Sequence, residues 1–406
     1  MRKFLKFIVA LGFVTSLSAK DVTIDISYSL GWFEPLHKEL IENFEKENPG
    51  IKVNLRVATP TYNEGSAKLM REKIIKQLPD IAFVSFSNLG PLHLRDVPVQ
   101  LDEFFTEEDA KKGFTKEMLN PAIIDGKIYG VPFVASLPIT YYNMDLVRQA
   151  GWDKELPTTW EELFELSAMI SKLDGKEGMY FDNGNDNWLY IALIMSQGGS
   201  LTDENGKVGF NNEIGLWANQ KLHEMYSLGK MPNYNISNAN KSFFAGNLGI
   251  MVASSAGLST KEEGIANKFE LKTSIFPGVK EGGKLPVGGS VAMLTASTKE
   301  KQDAAMKYIK YISGEHGNTI IVKHTGYMPV NKLAQENLKE FYAKNPNQQA
   351  APAQADIMGP WPSFPGDNSI KAIDILRNYV EGIMRGEITD YKGALQEATD
   401  KINKIL

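Results

Sequence analysis

Eight short segments of the chain combine aromatic residues with serine, glycine and asparagine, at points where regular elements should end. Aromatic rings stack on the apolar faces of sugars and polyols, while small hydroxyls and glycine amides offer oriented hydrogen bonds at close range. Ordinary turn chemistry explains any single segment, but their number favours a site for a small polar ligand. The segments are SYSLGWF (27–33), TPTYNEG (59–65), FVASLP (133–138), NGNDNW (183–188), VASSAG (252–257), VGGS (287–290), HTGYMP (324–329) and GPWPSFPGDN (359–368).

Residue types that perform catalysis are sparse by comparison. The chain has no cysteine and five histidines, none at a spacing typical of zinc sites. It also lacks a nucleophile elbow, a phosphate-binding loop and a dinucleotide fingerprint. We therefore expect no metal, no cofactor and no enzymatic activity. Two carboxylates that meet only in space would still permit a glycosidase, so an exported hydrolase of glycans or phosphodiesters stays open as the alternative.

The charge balance argues against a nucleic-acid partner. Lysine and arginine number 44 against 49 aspartates and glutamates, a net formal charge of −5. Proteins that bind the phosphate backbone of nucleic acids cluster their basic residues, and this chain has no basic block. At 406 residues, 43% of them apolar, it is long enough for two or three domains of about 150 residues each.

The amino terminus predicts a cleavable signal peptide over residues 1–19. A basic start (MRKFLK) leads into a short apolar run (FIVALGFV) and then into small residues (SLSA). The apolar run is shorter than the roughly 18 residues that span a bilayer. Without a cysteine the chain has no attachment point for a lipid anchor. We expect an exported protein that is soluble in a periplasm.

Strand and helix patterns alternate from residue 22 onward. Val22, Ile24 and Ile26 alternate with polar residues, which is the period of a half-buried strand. A helical pattern follows and stops at Pro49, and the segments IKVNLRV and IAFVSF predict further strands with a helix between them. This alternation predicts an α/β layer built from βαβ units. By contrast, 342–356 has no apolar period and predicts a surface loop.

A mostly helical block interrupts the first α/β region, and the segment GGSVAMLTA then predicts a strand that returns to it. We therefore expect an α/β fold of two discontinuous lobes with a ligand cleft between them. The expected first α/β lobe comprises 20–130 and 286–328, and the more helical second lobe comprises 131–285 and 329–406.

Several motifs resemble the extracellular solute-binding proteins of ABC importers, in the family 1 group that takes up sugars and glycerol phosphates. The motifs are FEKENPGIKV, YYNMDLVRQAGWDKELPTTWEELFELSAMI, FFAGNLGIMVASSAG, GGSVAML and HTGYMPV. Their order and spacing cover nearly the whole chain after residue 20. The resemblance implies a periplasmic binding protein fold that closes on its ligand and presents the closed form to a membrane permease.

The resemblance also implies ligand contacts. Tyr28, Trp32 and Tyr62 would contribute from the first lobe. Hydroxyl, stacking and amide contacts would come from Ser136, Trp188, Ser254, Ser255, Gly289 and Tyr327. The segments 59–65 and 359–368 add Asn63, Trp361 and Asn368 as candidates.

Three positions depart from the glycerol-3-phosphate binders of this group. Those proteins place an arginine where Asn368 stands, an acidic residue where Asn63 stands, and a tryptophan near 185, where this chain has asparagine. An amide cannot replace the bidentate, charge-assisted pair that arginine forms with phosphate. The departures favour a sugar, a glycoside or a diester over glycerol-3-phosphate itself.

The sequence thus predicts a periplasmic component of an ABC importer that captures a sugar or a glycerol-phosphate-type solute by hinge closure. Its partners would be this small polar ligand and the permease's transmembrane subunits. We expect a monomer, because no heptad pattern or exchanged arm is evident. A sensor that reports ligand occupancy to a membrane receptor would share the same fold.

Overall fold

The computed structural model describes residues 21–184 and 186–406. The predicted signal peptide and Asn185 lie outside the described residues. The strands are β1 (Val22–Ser27), β2 (Ile51–Leu55), β3 (Ile81–Ser85), β4 (Ile123–Ile124), β5 (Lys127–Ile128), β6 (Val131–Ser136), β7 (Pro138–Asn143), β8 (Glu177–Phe181), β9 (Leu248–Ser254), β10 (Leu271–Ile275), β11 (Leu285–Pro286), β12 (Gly288–Leu294) and β13 (Met358–Gly359).

The α-helices lie between and after these strands. They are α1 (Glu34–Glu47), α2 (Tyr62–Ile74), α3 (Phe86–His93), α4 (Glu107–Lys111), α5 (Lys116–Leu119), α6 (Met144–Gln149), α7 (Trp160–Ile170), α8 (Trp188–Ser196), α9 (Glu213–Ser227), α10 (Ile236–Phe244), α11 (Leu258–Ile265), α12 (Lys299–Ser313), α13 (Glu315–His324), α14 (Lys332–Asn337), α15 (Lys339–Lys344), α16 (Ser369–Met384) and α17 (Tyr391–Ile405).

The first sheet has the strand order β2-β1-β3-β12-β6. Strands β1, β2 and β3 are parallel, whereas β12 runs antiparallel to both of its neighbours, β3 and β6. The carboxyl ends of β1, β2, β3 and β6 therefore meet the amino end of β12 at one edge, where Gly288 pairs with Ser136. The strand that returns from the later sequence is confirmed as β12.

The second sheet has the strand order β10-β7-β9-β8. Strand β9 is parallel to β8 and antiparallel to β7, and Pro138 pairs with Ser254. The start of β7 and the ends of β8 and β9 consequently share one edge. Only Leu137 separates β6 of the first sheet from β7 of the second, so this edge lies against the corresponding edge of the first sheet.

Sheet membership shifts two of the expected lobe boundaries. Strand β6 belongs to the first sheet, so the chain changes sheets at Leu137 and not at 130. Near 328 the chain has not yet left the first lobe, since α14 packs against α13. It reaches the second sheet again at Asn347, whose carbonyl oxygen accepts a hydrogen bond of 2.8 Å from the Thr273 hydroxyl. Strand β6 is a continuous apolar run without alternation, so the sequence could not indicate which sheet it joins.

Two buried apolar clusters form the core. One covers a single face of the first sheet and joins Phe83 with residues of α1 and α12 such as Phe44 and Ile309. The other begins on the opposite face with Val84 and continues through Leu137 into the second lobe. Successive residues of β3 thus point into different clusters, as the period of a strand requires. Within the described residues, no helix is long and apolar enough to cross a bilayer.

The segment 342–356 is not the surface loop that its composition suggested. It contains two short 3-10 turns, and Gln348, Ala351 and Gln354 are buried in it. The Gln354 amide donates to the carbonyl oxygen of Pro138 at 3.0 Å and accepts from the Phe276 amide at 2.8 Å. Buried side-chain amides, and not apolar side chains at a regular spacing, hold this segment in the fold. The sequence therefore contains no periodic pattern that predicts its burial.

Candidate ligand-binding cleft

A cleft of about 460 Å³ opens where the edges of the two sheets meet. Its walls come from both lobes, and its size falls within the range of about 300–1,000 Å³ that is typical of small-molecule sites. The lining residues are Leu30, Trp32, Thr61, Tyr62, Ser136, Asp182, Asn183, Gly184, Asp186, Trp188, Ile236, Asn240, Ala253, Ser254, Ala256, Gly257, Thr260, Lys261, Gly288, Gly289, Tyr327 and Trp361.

Three aromatic side chains form the wall on the first lobe. Thr61 caps α2 by accepting a hydrogen bond from the Glu64 amide, so Tyr62 is the first helical residue and faces the cleft. The Tyr62 hydroxyl is hydrogen-bonded to Tyr327, and burial raises the pKa of Tyr62 to about 12. Trp32 stacks on Tyr327 with 6.2 Å between ring centroids and is still 45% exposed. This wall offers a broad apolar face with neutral hydroxyls beside it.

Two tryptophans form the facing wall on the second lobe. The centroid of the Trp188 ring system lies 6.0 Å from that of Trp361, with the planes inclined at 50°. The turn before α8 is fixed by Asn187, which has a left-handed backbone (φ 58°) and donates its side-chain amide to the carbonyl oxygen of Ile373. This turn places Trp188 at the cleft, which it lines from the second lobe.

The floor of the cleft is made of small residues. A side chain on Gly288 would come within 2.7 Å of both the Ser136 hydroxyl and the Trp188 ring. Gly289 has φ +117°, and a Cβ atom there would lie 2.1 Å from the carbonyl oxygen of Val134. Only glycine fits at Gly289, so the backbone of β12 borders the cleft directly.

The charged groups of the cleft all belong to the second lobe. Asp182 and Asp186 follow β8, and Lys261 lies on α11 with its ammonium 4.5 Å from the centroid of the Tyr141 ring. Burial raises the pKa of Asp186 to about 6 and lowers the pKa of Lys261 to about 8. Burial also raises the pKa of Asp182, which the charge of Lys261 opposes. Among the described lining residues, two carboxylates thus share the cleft with one ammonium and no arginine.

The structure brings most of the candidate residues together at the cleft. Eight of them line it, and whether they contact ligand stays a prediction. They are Trp32, Tyr62, Ser136, Trp188, Ser254, Gly289, Tyr327 and Trp361.

The other four candidates do not line the cleft. Tyr28 is buried with its ring centroid 4.7 Å from that of His37, and Asn63 accepts a hydrogen bond from the Asn88 amide at 3.1 Å. Ser255 is buried beside the cleft. Asn368 is exposed and donates to the carbonyl oxygen of Ile405 at 2.8 Å. The predicted departure near 185 lies outside the described residues.

Sequence reasoning missed the charged residues of the cleft. Asp182 was detectable in principle, because residues that directly follow a strand tend to reach the ligand edge of an α/β sheet. Lys261 gave no such signal, since it stands in the polar helix segment LSTKEEGI and is buried through tertiary packing. Thr61 was not among the candidates either, because a threonine before a helix indicates an ordinary helix cap.

Comparison with known proteins places this geometry in a family. A model of the bacterial extracellular solute-binding protein family matches residues 39–350. The chain is 24% identical over 403 residues or more to relatives that include the sn-glycerol-3-phosphate-binding periplasmic protein UgpB of Escherichia coli, where the match covers 98% of this chain and 96% of the relative. It is 24% identical to the arabinooligosaccharide-binding protein of Bacillus subtilis, covering 74% of this chain and 71% of the relative.

Solved structures show the same architecture. UgpB from Mycobacterium tuberculosis in complex with glycerophosphocholine matches with a TM-score of 0.83 at 21% identity, covering 94% of this chain and 98% of that one. Maltose-bound MalE3 of T. maritima matches with a TM-score of 0.81 at 20% identity, covering 96% and 100%. These likenesses confirm the predicted two-lobed fold. The chain belongs to the family of bacterial extracellular solute-binding proteins.

Proposed function

We propose that this protein captures a neutral, hydroxyl-rich solute of the sugar class and delivers it to the permease of an ABC importer. The observation that carries the proposal is the composition of the cleft. Aromatic rings from both lobes line it, and two carboxylates accompany a single buried ammonium. Sugars present apolar ring faces to aromatic side chains and hydroxyl donors to carboxylates, so this set suits them.

A free phosphate monoester suits the same cleft poorly. Recognition of phosphate commonly uses bidentate arginine pairs, and Asn368, at the position expected for that arginine, is exposed and bonded to Ile405. Lys261 is the one cation among the described lining residues, and Asp182 already interacts with it. The two carboxylates would repel a dianion at neutral pH. Among the ligand classes of the family, the cleft therefore favours sugars over phosphate monoesters.

Hinge closure is the mechanism that the placement of these walls supports. The aromatic residues of the two walls belong to different lobes, and the chain passes between the lobes at Leu137, at Val287 and again before Asn347. A ligand that contacts both walls interacts more strongly with the closed arrangement than with the open one, so it shifts the population toward closure. We further propose that the chain is exported by its leader and acts as a monomer.

The hydrolase alternative would rest on Asp182 and Asp186. Both carboxylates follow β8 and line the same wall. A glycosidase places its acid and its base or nucleophile on either side of the scissile bond. Binding without release of chromophore from chromogenic glycosides would support the importer function, whereas sustained turnover that Asp186→Asn abolishes would support the hydrolase.

A ligand screen by thermal unfolding tests the proposal directly. The protein is first unfolded and refolded to remove any bound solute, and is then heated with neutral saccharides, glycerol-3-phosphate or glycerophosphocholine. A ligand at 100 times its Kd raises the free energy of unfolding by about 2.7 kcal/mol. We expect stabilisation by saccharides and none by glycerol-3-phosphate. Stabilisation by glycerol-3-phosphate alone would overturn the assignment to sugars.

A further inference from the structure

Lys261 is a buried cation whose hydrogen-bonding capacity the chain leaves unused. It lies on α11, is only 6% exposed and lines the cleft. An ammonium carries three N–H donors, yet among the described residues Lys261 has neither a hydrogen-bond acceptor nor an ion-pair partner. Buried polar groups in native proteins are normally hydrogen-bonded, and a buried charge without such bonds is costly. The partners of this ammonium therefore come from the contents of the cleft.

Two neighbours hold the ammonium in place without occupying its donors. Its Nζ lies 4.5 Å from the centroid of the Tyr141 ring, and the Tyr141 hydroxyl donates to the carbonyl oxygen of Ser254 at 2.6 Å, which fixes the ring. The ring face attracts the cation through its quadrupole. The charge of Asp182 also favours the ammonium form, but it acts from a distance and not through an ion pair. The position of Lys261 is thus defined while its N–H groups stay available.

A glycine keeps the space beside the ammonium open. A Cβ atom on Gly257 would lie 2.9 Å from Nζ of Lys261 and would meet no other atom within 4 Å. The backbone there has φ −83°, a conformation that any residue adopts. The missing side chain at Gly257 therefore serves access to the ammonium and not the geometry of the turn. Gly257 itself lines the cleft.

We propose that Lys261 selects the solute by donating hydrogen bonds to hydroxyl oxygens of the bound sugar, which supply the acceptors that the chain does not provide. The inference rests on the proposed function and deepens it, because it names the protein group that recognises the solute. A solute without a hydroxyl at this point would leave the charge unpaired in the closed cleft. Sites that are built to bond a hydroxyl strongly reject analogues that lack it.

Calorimetric titration with deoxy sugars tests this role. The probes are the saccharide that gives the largest stabilisation in the thermal screen and its analogues that each lack one hydroxyl. For the wild type we expect at least one analogue to bind about 10–100 times more weakly than the parent saccharide, as for the loss of a hydrogen bond to a charged group. Lys261→Met keeps an unbranched apolar side chain and removes the donors, so it should weaken binding of the parent by a similar factor.

Lys261→Met should also change the pattern of discrimination. The analogue that lacks the hydroxyl bound by Lys261 should lose no more than about twofold further affinity in this variant, because the interaction is already absent. The other analogues should lose the full factor. Lys280→Met is the matched control, since Lys280 is exposed on the second lobe and does not line the cleft. It should bind every probe as the wild type does.

Gly257→Ala is a second variant, which leaves Lys261 in the chain. Because its Cβ would meet only the ammonium, it should displace this group and reduce discrimination against the same analogue severalfold. This variant keeps the proposal testable if Lys261→Met fails to fold.

The possible failures are distinguishable. If no saccharide binds the wild-type protein, the proposed function falls and the role of Lys261 falls with it. If saccharides bind but Lys261→Met leaves their affinity unchanged, or lowers it by the same factor for the parent and for every analogue, Lys261 does not contact a hydroxyl. The proposed function then stands without it.

Discussion

The indole nitrogen of Trp188 donates a hydrogen bond of 3.1 Å to the carbonyl oxygen of Pro286. Trp188 begins α8 in the second lobe, and Pro286 ends β11, two residues before the chain enters β12 of the first sheet. One bond thus joins the aromatic wall of the second lobe to the segment that crosses between the sheets. The orientation of this ring and the position of the crossing are therefore fixed together.

Trp188→Phe should weaken ligand binding and stability by modest, separable amounts. The variant keeps an aromatic ring but loses the hydrogen bond to Pro286, whose net worth is about 1 kcal/mol. We expect urea unfolding to show a loss of that size and calorimetry to show a severalfold lower affinity. Trp217→Phe is the matched control, because Trp217 is half-buried on α9 and does not line the cleft. An unchanged Kd for Trp188→Ala, which removes the ring, would exclude Trp188 from the ligand site.

Gly289→Ala should destabilise the protein by more than about 2 kcal/mol. The left-handed φ of +117° costs a residue with a Cβ roughly 1–2 kcal/mol, and the contact with the carbonyl oxygen of Val134 adds to this cost. Gly90→Ala provides the comparison, because a Cβ atom there meets nothing within 4 Å and the residue lies inside α3. Chemical denaturation that gives equal stabilities for the two variants would contradict the close approach at Gly289.

The buried ionisable groups of the cleft give stability a defined pH dependence. The pKa of Asp186 is raised from 3.8 to about 6, so between these values the native state binds more protons than the unfolded state, and the contribution of Asp186 to stability falls as the pH rises. The pKa of Lys261 is lowered from 10.5 to about 8, so its contribution rises as the pH rises through that interval.

Asp186→Asn isolates the first of these effects. The variant should gain stability relative to the wild type as the pH rises from about 4 to about 7, because the wild type alone must ionise a buried carboxyl there. Urea unfolding across this pH range measures the difference. Asp174→Asn, at an exposed position, is the control for the loss of one carboxyl group. A parallel pH profile for Asp186→Asn and wild type would refute the prediction.

Gln354→Ala should cost roughly 2–3 kcal/mol, since it leaves the buried Phe276 amide and the carbonyl oxygen of Pro138 without their partner. Gln349→Ala removes an exposed amide of the same segment and should cost less than about 0.5 kcal/mol. Thermal or chemical unfolding of the pair compares the two. Similar losses would mean that the segment is not held by the buried amide.

Affinity for the natural ligand should be almost independent of salt if that ligand is neutral. Screening weakens interactions between exposed charges at distances beyond about 8–10 Å at moderate salt, and a sugar carries no charge to screen. We expect a change in Kd of less than about twofold between low salt and about 0.5 M sodium chloride. A steep loss of affinity with salt would point to an anionic solute held by Lys261.

The sequence predicted those parts of the fold that have local patterns. Alternation at Val22–Ile26 marked β1, and the helical pattern that stops at Pro49 marked α1. The segment after Tyr342 was misread because Gln348 and Gln354 are buried as hydrogen-bonding groups, and polar composition is an unreliable guide where amides bond to backbone. The sheet of β6 could not be read either, since its residues are apolar on both faces.

The sequence predicted which loops border the candidate site better than it predicted which side chains line it. Turns with aromatic and small residues marked the segments that border the cleft, because strand ends gather at one edge of an α/β sheet. The family resemblance supplied most of the individual positions within those segments. Asn63 and Asn368 occupy the right segments but point to Asn88 and Ile405. Lys261 shows the opposite case, because its burial depends on how α11 packs and not on any local pattern.

The position of β12 also sets the order in which the molecule can be completed. All strands of the second sheet lie between Pro138 and Ile275, whereas the first sheet needs Gly288–Leu294 as the strand between β3 and β6. A chain that emerges from its amino end can therefore assemble the second sheet first, while the sheet it began with stays split, with the inner edges of β3 and β6 unpaired. Until β12 arrives, those open edges are where the nascent protein is most prone to aggregate and most in need of a chaperone.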